Sequence, residues 1–119
     1  MGGERDLSRL LRGLKPALHP GRYSFAPTDE PSLPSDAFAL IREDEELTII
    51  RPSPAGEWAR ISLPIYSSLD AVGLTAALSS ALAEAEISAN VVAALRHDHI
   101  FVPWDERHRA LACFEELSL

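Results

Sequence analysis

The sequence contains few of the residues that several classes of protein require. Its single cysteine, Cys113, rules out an intramolecular disulfide bond and a zinc site built from cysteines. Basic residues are in the minority, and the net charge of −7 disfavours binding to nucleic-acid phosphates or to an anionic membrane. No apolar run approaches the roughly 20 residues that span a bilayer, and the first residues form no hydrophobic signal segment. These absences predict a soluble cytoplasmic protein.

Motifs of the common enzyme classes are absent as well. The chain has no G-x-S-x-G element, no phosphate-binding loop and no H-E-x-x-H zinc motif. A serine-based site using Ser67 or Ser68 with His97 or His99 is compatible with the composition, but no spacing fixes its geometry. We therefore predict a protein that is not an enzyme, with no catalytic residue, no cofactor and no bound metal.

The strongest pattern that is present is the apolar stripe of a helix between residues 71 and 86. An alternating run at 60–66, typical of a half-buried strand, precedes it. Two apolar runs, 88–95 and 100–104, follow. Residues 89–95 are apolar on both sides, which is typical of a central strand covered on both faces, and Asp105 is expected to cap a second helical pattern, 105–117. This order of strand, helix, strand, strand and helix gives five of the six elements of a ferredoxin-like βαββαβ unit. The stripe consists of Leu74, Ala77, Leu78, Ala81, Leu82 and Ala85.

The N-terminal part carries weaker patterns. Leucines recur at helical spacing near its start, where Asp6 or Ser8 is positioned to cap a helix. Three further runs alternate in polarity or are rich in β-branched residues, which favours strands. The expected elements are a helix at 6–14, a turn at Pro20-Gly21 and strands at 22–25 and 47–51. Residues 37–42 are compatible with a strand or with one turn of helix, and a strand is favoured.

The clearest break in composition is the Pro-Ser-Pro-Ala-Gly stretch at 52–56. It predicts two halves, residues 1–56 and 57–119. The C-terminal half lacks the sixth strand of a ferredoxin-like unit, so the edge of its first strand would carry unpaired backbone groups. We expect the N-terminal strands to cover that edge, with 47–51 as the preferred one, within one chain or across a dimer.

The turn before the long helix is a candidate ligand site. Backbone N–H groups in the first turn of a helix suit a carboxylate or phosphate, and Gly73 would let a ligand approach closely. Asp70 would receive an ammonium group, so the turn suits a zwitterionic amino acid. The alternative is purely structural, with Ser67 and Asp70 forming a capping box and Gly73 allowing tight packing of the helix.

The segment His97-Asp98-His99 is a second candidate site. In an extended chain both imidazoles would point to one side, and two histidines at this spacing are able to bind zinc or copper. No third metal ligand is evident, so a polar hairpin is favoured over a metal site or a contact with a ligand or partner. His19 and His108 are isolated, and we expect both to be exposed.

Several of these motifs resemble the ACT domain family. The resemblance is specific in the C-terminal half, where the sequence reads R-I-S-L at 60–63, S-S-L-D-A-V-G-L-T-A-A-L-S-S-A-L-A-E-A at 67–85, I-S-A-N-V-V at 87–92 and H-D-H-I-F-V-P at 97–103. Residues 14–52 resemble, more weakly, the preceding half of small bacterial proteins with two ACT-like halves. Those proteins are akin to the tandem modules of arginine sensors and aspartate kinases.

The resemblance implies an α+β protein of two ACT-like halves packed together, each with the ferredoxin-like βαββαβ order. It also implies a non-enzymatic regulatory module that senses a small molecule, with an amino acid as the expected class, and that forms homodimers. The rival expectation is a structural or protein-interaction module that binds no ligand. Glu86 departs from the pattern, because relatives of this type have glycine there, and Pro64 interrupts the first strand.

The resemblance also implies which residues hold the ligand. In this family, small ligands bind where a strand-to-helix turn faces a neighbouring module. By position, the ligand-binding residues would be Ser67, Ser68, Leu69, Asp70, Val72, Gly73 and Leu74 from the turn, with Asn90 and Val91 from the facing strand.

Overall fold

The computed structural model of the chain describes residues 6–64 and 73–119. These residues form an α+β fold with one antiparallel sheet. In chain order its elements are helix α1 (Leu7–Arg12), strands β1 (Ala17–Thr28), β2 (Ala39–Arg42), β3 (Leu47–Pro52) and β4 (Trp58–Leu63), helix α2 (Leu74–Glu84), strands β5 (Asn90–Ala93) and β6 (Asp98–Pro103), a 3₁₀ turn (Trp104–Glu106) and helix α3 (Arg107–Leu117).

The sheet has six strands in the order β2-β3-β1-β4-β6-β5. Strand β1 lies near its centre and pairs with β3 along one edge and with β4 along the other. The N-terminal part therefore completes the C-terminal part of the sheet within one chain. The sequence favoured residues 47–51 for this place, but β3 lies one strand further away, on the other side of β1.

The expected βαββαβ order is not matched in detail. Residues 58–117 follow the order βαββα, and β1 lies at the place where a sixth strand was expected. Residues 17–52 form three strands, and the segment between β1 and β2 contains no helix.

Strand β1 is much longer than the predicted run at 22–25. Pro20 and Gly21 were expected to turn the chain, but they lie within the strand at a bulge. Leu18 pairs with Ile61, and Arg22 pairs with Ala59 on the far side of the bulge. The pairing thus shifts by two residues, and this even shift keeps the alternation of faces on both sides of the bulge.

The three described helices pack on one face of the sheet. Alternate residues of β4 and β6 point towards them, and together they form an aliphatic core that the helical periodicity predicted. Asp6 caps α1, since its carboxylate accepts a hydrogen bond from the Arg9 backbone N–H. The most deeply buried members are Leu10, Ala59, Ile61, Leu63, Leu78, Leu82, Ile100, Val102, Ala110 and Phe114.

The opposite face of the sheet is concave. Phe38 lies just before β2, whereas Phe101 lies in β6, four strands away. In a flat sheet with strands about 4.8 Å apart, these positions would be separated by roughly 19 Å. Their ring centroids are 5.4 Å apart, so the sheet curls until its N-terminal edge reaches β6. Tyr23, Phe25 and Trp58 also belong to this aromatic cluster.

Two local expectations for the C-terminal elements are wrong. Residues 89–95 were expected to form a central strand covered on both sides, but β5 is the edge strand of the sheet. Asp105 was expected to cap the last helix, but it lies in the 3₁₀ turn. Glu106 occupies the N-cap position of α3 and makes no side-chain capping bond.

Helix α2 ends in a Schellman motif. The N–H of Ile87 donates to the carbonyl of Leu82, and the N–H of Glu86 donates to the carbonyl of Ala83. Glu86 occupies the left-handed position of the motif with φ of 60°, where glycine is the usual residue. The departure from the expected pattern at Glu86 therefore falls at a position where the backbone favours glycine.

Candidate functional site

Five residues of the expected ligand turn, Ser67, Ser68, Leu69, Asp70 and Val72, lie outside the described residues. The other four lie in distinct surroundings, and two of them belong to the helix-covered core. Leu74 is buried there, and Val91 packs against it. Asn90 is exposed on β5.

Gly73 precedes α2 in a left-handed conformation, with φ of 97°. A Cβ atom at this position would lie 3.1 Å from a methyl carbon of Leu7. The left-handed backbone and the close Leu7 methyl group both favour glycine at this position. Packing of α1 against α2 therefore explains Gly73 without a ligand.

The described residues form a cleft of about 460 Å³ at one end of the sheet. It lies where the turn from β6 into the 3₁₀ helix faces β1 and the connection between β3 and β4. We name this feature the Trp104 cleft. Its lining residues are Arg22, Glu57, Trp58, Pro103, Trp104 and Asp105.

The walls of the Trp104 cleft are held in place by backbone and cation–π contacts. The Trp104 N–H donates to the carbonyl of Glu57 over 2.8 Å, which ties the 3₁₀ turn to the start of β4. The guanidinium carbon of Arg22 lies 4.5 Å from the centre of the Trp104 ring, and that of Arg107 lies 3.8 Å from it. Arg22 also donates a hydrogen bond to the carbonyl of Gly56.

Charges of both signs line this cleft. Arg22 offers a guanidinium, whereas Glu57 and Asp105 offer carboxylates, and two indole rings supply apolar surface. A cleft of this size, with apolar walls and a few polar groups, is typical of small-molecule sites. This arrangement complements a compact molecule that carries one positive and one negative group.

A second polar group lies on the concave face, and we name it the concave-face cluster: His19, Arg60, Ser62 and His99. The Ser62 hydroxyl is 2.9 Å from Nε2 of His19. Nη2 of Arg60 lies 3.0 Å from Nδ1 and 3.2 Å from Nε2 of the same imidazole. His19 lies at the bulge of β1, where the interrupted ladder lets its ring reach β4. It is half-buried, so the expectation that it would be exposed is wrong.

Aromatic rings enclose the Arg60 guanidinium. Its central carbon is 4.7 Å from the centre of the Phe38 ring and 5.2 Å from that of Tyr23. The Phe38 ring also meets the His99 imidazole edge to face, with centroids 4.9 Å apart. The curl of the sheet therefore brings a ring from the N-terminal edge over polar groups of β4 and β6.

The titrating groups of the concave-face cluster are shifted towards their neutral forms. Burial, then the charges of Arg60, His97 and His19, lowers the pKa of His99 to about 4. Burial, then the charge of Arg60, also lowers the pKa of His19. At neutral pH the cluster therefore has one fixed positive charge, on Arg60, and two neutral imidazoles.

His97-Asp98-His99 is divided between the two faces of the sheet. Asp98 pairs with Leu63 and is buried on the helix-covered side, whereas His99 pairs with Ser62 on the concave side. Burial raises the pKa of Asp98, and His97 partly offsets that shift. Within residues 6–64 and 73–119, no group of three or more His, Cys, Asp or Glu side chains is arranged to hold a metal ion.

No local pattern in the sequence pointed to the Trp104 cleft or directly to His19. Arg22 and Trp104 are separated by most of the chain, and they become neighbours because β4 pairs with β1 on one side and with β6 on the other. The bulge at Pro20 and Gly21 was the available clue to His19, since bulges often redirect side chains near functional sites.

Comparison with known proteins gives the family of the chain. Residues 57–116 match an ACT domain family, and residues 2–63 match a second ACT domain family. The chain belongs to the ACT domain family. ACT domains are generally regulatory modules that bind small molecules, and they commonly dimerise. No protein of curated function matches the chain.

Two solved structures are similar to this ACT protein. Protein VC0802 of Vibrio cholerae, described as a possible transport protein of unknown function, is 35% identical, with a TM-score of 0.78 over 95% of this chain and 96% of its own. Protein Atu0741 of Agobacterium tumefaciens is 20% identical and shares the fold, with a TM-score of 0.68 over 88% of this chain and 89% of its own. No described helix is long and apolar enough to cross a membrane.

Proposed function

We propose that this ACT protein is a non-enzymatic regulatory module that senses a small molecule, with an amino acid as the expected class. The observation that carries the proposal is the lining of the Trp104 cleft. A guanidinium lies there beside two carboxylates and two indole rings, which matches the carboxylate, the ammonium group and the apolar part of an amino acid.

A regulatory rather than catalytic role agrees with the surroundings of His19. A histidine that activates a serine needs its second nitrogen to be oriented by an acceptor, usually a carboxylate. The imidazole of His19 instead faces the cationic Arg60, and the lowered pKa of His19 makes it a weak base. We therefore propose no catalytic function for the Ser62–His19 pair.

The turn that includes Ser67, Ser68, Leu69, Asp70, Val72, Gly73 and Leu74, with Asn90 and Val91, remains a second proposed place for the ligand. It rests on the resemblance to the family and on the position of Asp70 in the sequence, shortly before the start of α2. The two places predict different variants, because the first depends on Arg22 and the second on Asp70. We also propose that the chain consists of two halves, residues 1–56 and 57–119, and that the protein is cytoplasmic.

Both tryptophans of the chain line the Trp104 cleft, so intrinsic fluorescence reports directly on its occupancy. Thermal unfolding of the protein with each of the twenty amino acids gives an independent readout. A ligand present at 100 times its Kd should add about 2.7 kcal/mol to the free energy of unfolding. We expect one or a few amino acids to do so and to change tryptophan emission.

Variants distinguish the two places. Arg22→Gln should weaken binding by about 1.5–3 kcal/mol, the range for a hydrogen bond to a charged group, while Arg42→Gln on exposed β2 should not. If Asp70→Ala weakens binding and Arg22→Gln does not, the ligand lies at the turn. A flat thermal response across all twenty amino acids would refute amino-acid sensing.

The rival function, a dimerisation or interaction module, is favoured by one observation. The edge strands β2 and β5 leave backbone groups unpaired, and large apolar side chains are exposed beside both edges. Ile41 on β2 is 42% exposed, and Leu95, just after β5, is 63% exposed. We propose a homodimer formed through one of these edges. Light scattering that gives a monomer mass at 100 µM would contradict it.

A further inference from the structure

Among the residues that the structure describes, three buried nitrogen atoms on or beside the concave face have no hydrogen-bond partner. They are Nε of Arg60, Nδ1 of His99 and Nδ1 of His97. Buried polar atoms are nearly always paired, because leaving one unpaired forfeits the hydrogen bond it would make with water. Two of the three belong to the concave-face cluster, next to the Ser62 hydroxyl and the His19 ring.

The charge of this cluster is also uncompensated. Among the described residues, the groups that lie around Arg60 are His19 and Tyr23 of β1, Phe38 just before β2, Ser62 of β4 and His99 of β6. None of these groups is a carboxylate, and Asp98 lies on the other face of the sheet. A partly desolvated guanidinium is stabilised most by an anion that accepts its hydrogen bonds.

We propose that the concave-face cluster is a second ligand site, separate from the Trp104 cleft, and that it binds the carboxylate of a small organic acid. Arg60 supplies the charge, and Ser62 and His99 donate hydrogen bonds to the same group. Phe38 and Tyr23, which enclose the guanidinium, contact the apolar part of that acid.

The chemistry favours a carboxylate over a phosphate. One guanidinium balances one negative charge, and the imidazoles carry none at neutral pH because the pKa of His99 is about 4 and that of His19 is lowered. A dianionic phosphate would need a second cation. The aromatic walls suit a hydrocarbon substituent such as a phenyl ring.

Histidine titration by NMR tests the proposal in the full-length protein. The pKa values of His19 and His99 would be measured in sodium benzoate, sodium phosphate and sodium chloride at equal ionic strength. A bound carboxylate beside the imidazoles favours their protonated forms. Benzoate should therefore raise the pKa of His99 by at least one unit relative to chloride, a tenfold gain in proton affinity.

Variants locate the effect. Arg60→Gln should abolish the benzoate-induced shift, whereas Arg22→Gln in the Trp104 cleft should preserve it. If Arg60→Gln does not fold, chemical shift changes of His19, Ser62 and His99 in the unaltered protein replace it, and benzoate should move these residues more than any in the Trp104 cleft. Equal pKa values in benzoate and chloride, a shift that survives Arg60→Gln, or a shift with phosphate alone would each overturn the proposal.

Discussion

The two faces of the sheet use the same strands for different purposes. The helix-covered face is aliphatic, and Asp98 is the one buried charged residue among the described residues that contributes to it. The concave face carries aromatic rings, a guanidinium and two imidazoles. Neighbours in sequence, such as Arg60 and Ile61, are assigned to opposite faces by the alternation of a strand. A single residue step along a strand therefore separates the aliphatic core from the polar face that we propose to bind a ligand.

The two faces of the sheet also differ in what covers them. Helices pack on the aliphatic face and leave the residues of its core no more than 5% exposed. The concave face is covered by the curl of the sheet and by Phe38, and this cover leaves polar atoms without partners. A curled sheet thus creates a second, smaller core that is open enough to hold polar groups.

The largest expected effect on stability comes from replacing a fully buried phenylalanine in the hydrophobic core on each face of the sheet. Phe101→Ala and Phe114→Ala make the same change at two fully buried positions, one on each face. Each should lower the free energy of unfolding by about 3–5 kcal/mol in chemical denaturation. Only Phe101→Ala should also move the pKa of His99 back towards its ordinary value, because water would enter the concave face. A loss below 1 kcal/mol for Phe101→Ala would mean that the concave face is not a core.

A pair of glycines tests how closely β1 is packed. A Cβ on Gly56 would overlap the backbone of Tyr23, whereas a Cβ on Gly21 would meet no atom within 4 Å. Gly56→Ala should therefore destabilise the protein by about 1–3 kcal/mol or more, as overpacking does. Gly21→Ala should change stability by less than about 0.5 kcal/mol. Equal effects in thermal unfolding would contradict the packing of the β3–β4 connection against β1.

The concave face should make stability depend on pH. The pKa of His99 is about 4 in the folded protein and near 6.5 when unfolded, so the unfolded chain binds more protons between these values. Stability is therefore highest above pH 6.5 and falls as the pH drops towards 4. His19 acts in the same direction, while the raised pKa of Asp98 opposes it near pH 4 and above.

After allowance for solvent screening, the loss attributable to His99 between pH 7 and pH 5 should be about 1 kcal/mol. Urea denaturation at the two pH values measures it. His99→Gln should remove this part of the slope, and His108→Gln on the exposed side of α3 serves as the control. A slope that is unchanged in His99→Gln would contradict the burial of that imidazole.

The smallest expected effect on stability is at the end of helix α2, which packs on the helix-covered face. Glu86→Gly relieves a left-handed conformation and should raise stability by up to about 1 kcal/mol. Glu84→Gly makes the same change in the last turn of α2 and should lower stability by about 0.5–1 kcal/mol. In thermal unfolding, Glu86→Gly should raise stability and Glu84→Gly should lower it. A change of the same sign in both variants would contradict backbone strain at Glu86.

Periodicity predicted most of the helix-covered face. The stripe at Leu74, Leu78 and Leu82 predicted α2, and the alternation of Ile61 and Leu63 predicted β4, because each pattern records one buried face. The family was also recognisable from these segments. Glu86 marked a true irregularity, since its position requires positive φ.

The concave face and the Trp104 cleft could not be predicted in this way. Both depend on which strands pair, and β1 was expected to be four residues long because Pro20 and Gly21 are typical turn residues. His19 contacts Arg60, Arg22 contacts Trp104 and Phe38 contacts Phe101, and these partners lie far apart in the sequence. No local pattern encodes such contacts. The predicted site residues therefore came from one local turn. The Trp104 cleft and the concave-face cluster form instead because strands that are distant in sequence pair in the sheet.

The bulged central strand also matters during synthesis on the ribosome. The edge of β1 that pairs with β4 stays open until roughly 30 further residues have been added, which takes a few seconds at about 5–20 residues per second. Two nascent chains that meet within this interval would both present the open edge of β1. Exchange of β4 between two such chains would give a dimer with every native strand pair, formed by the timing of translation rather than by a surface of the finished protein.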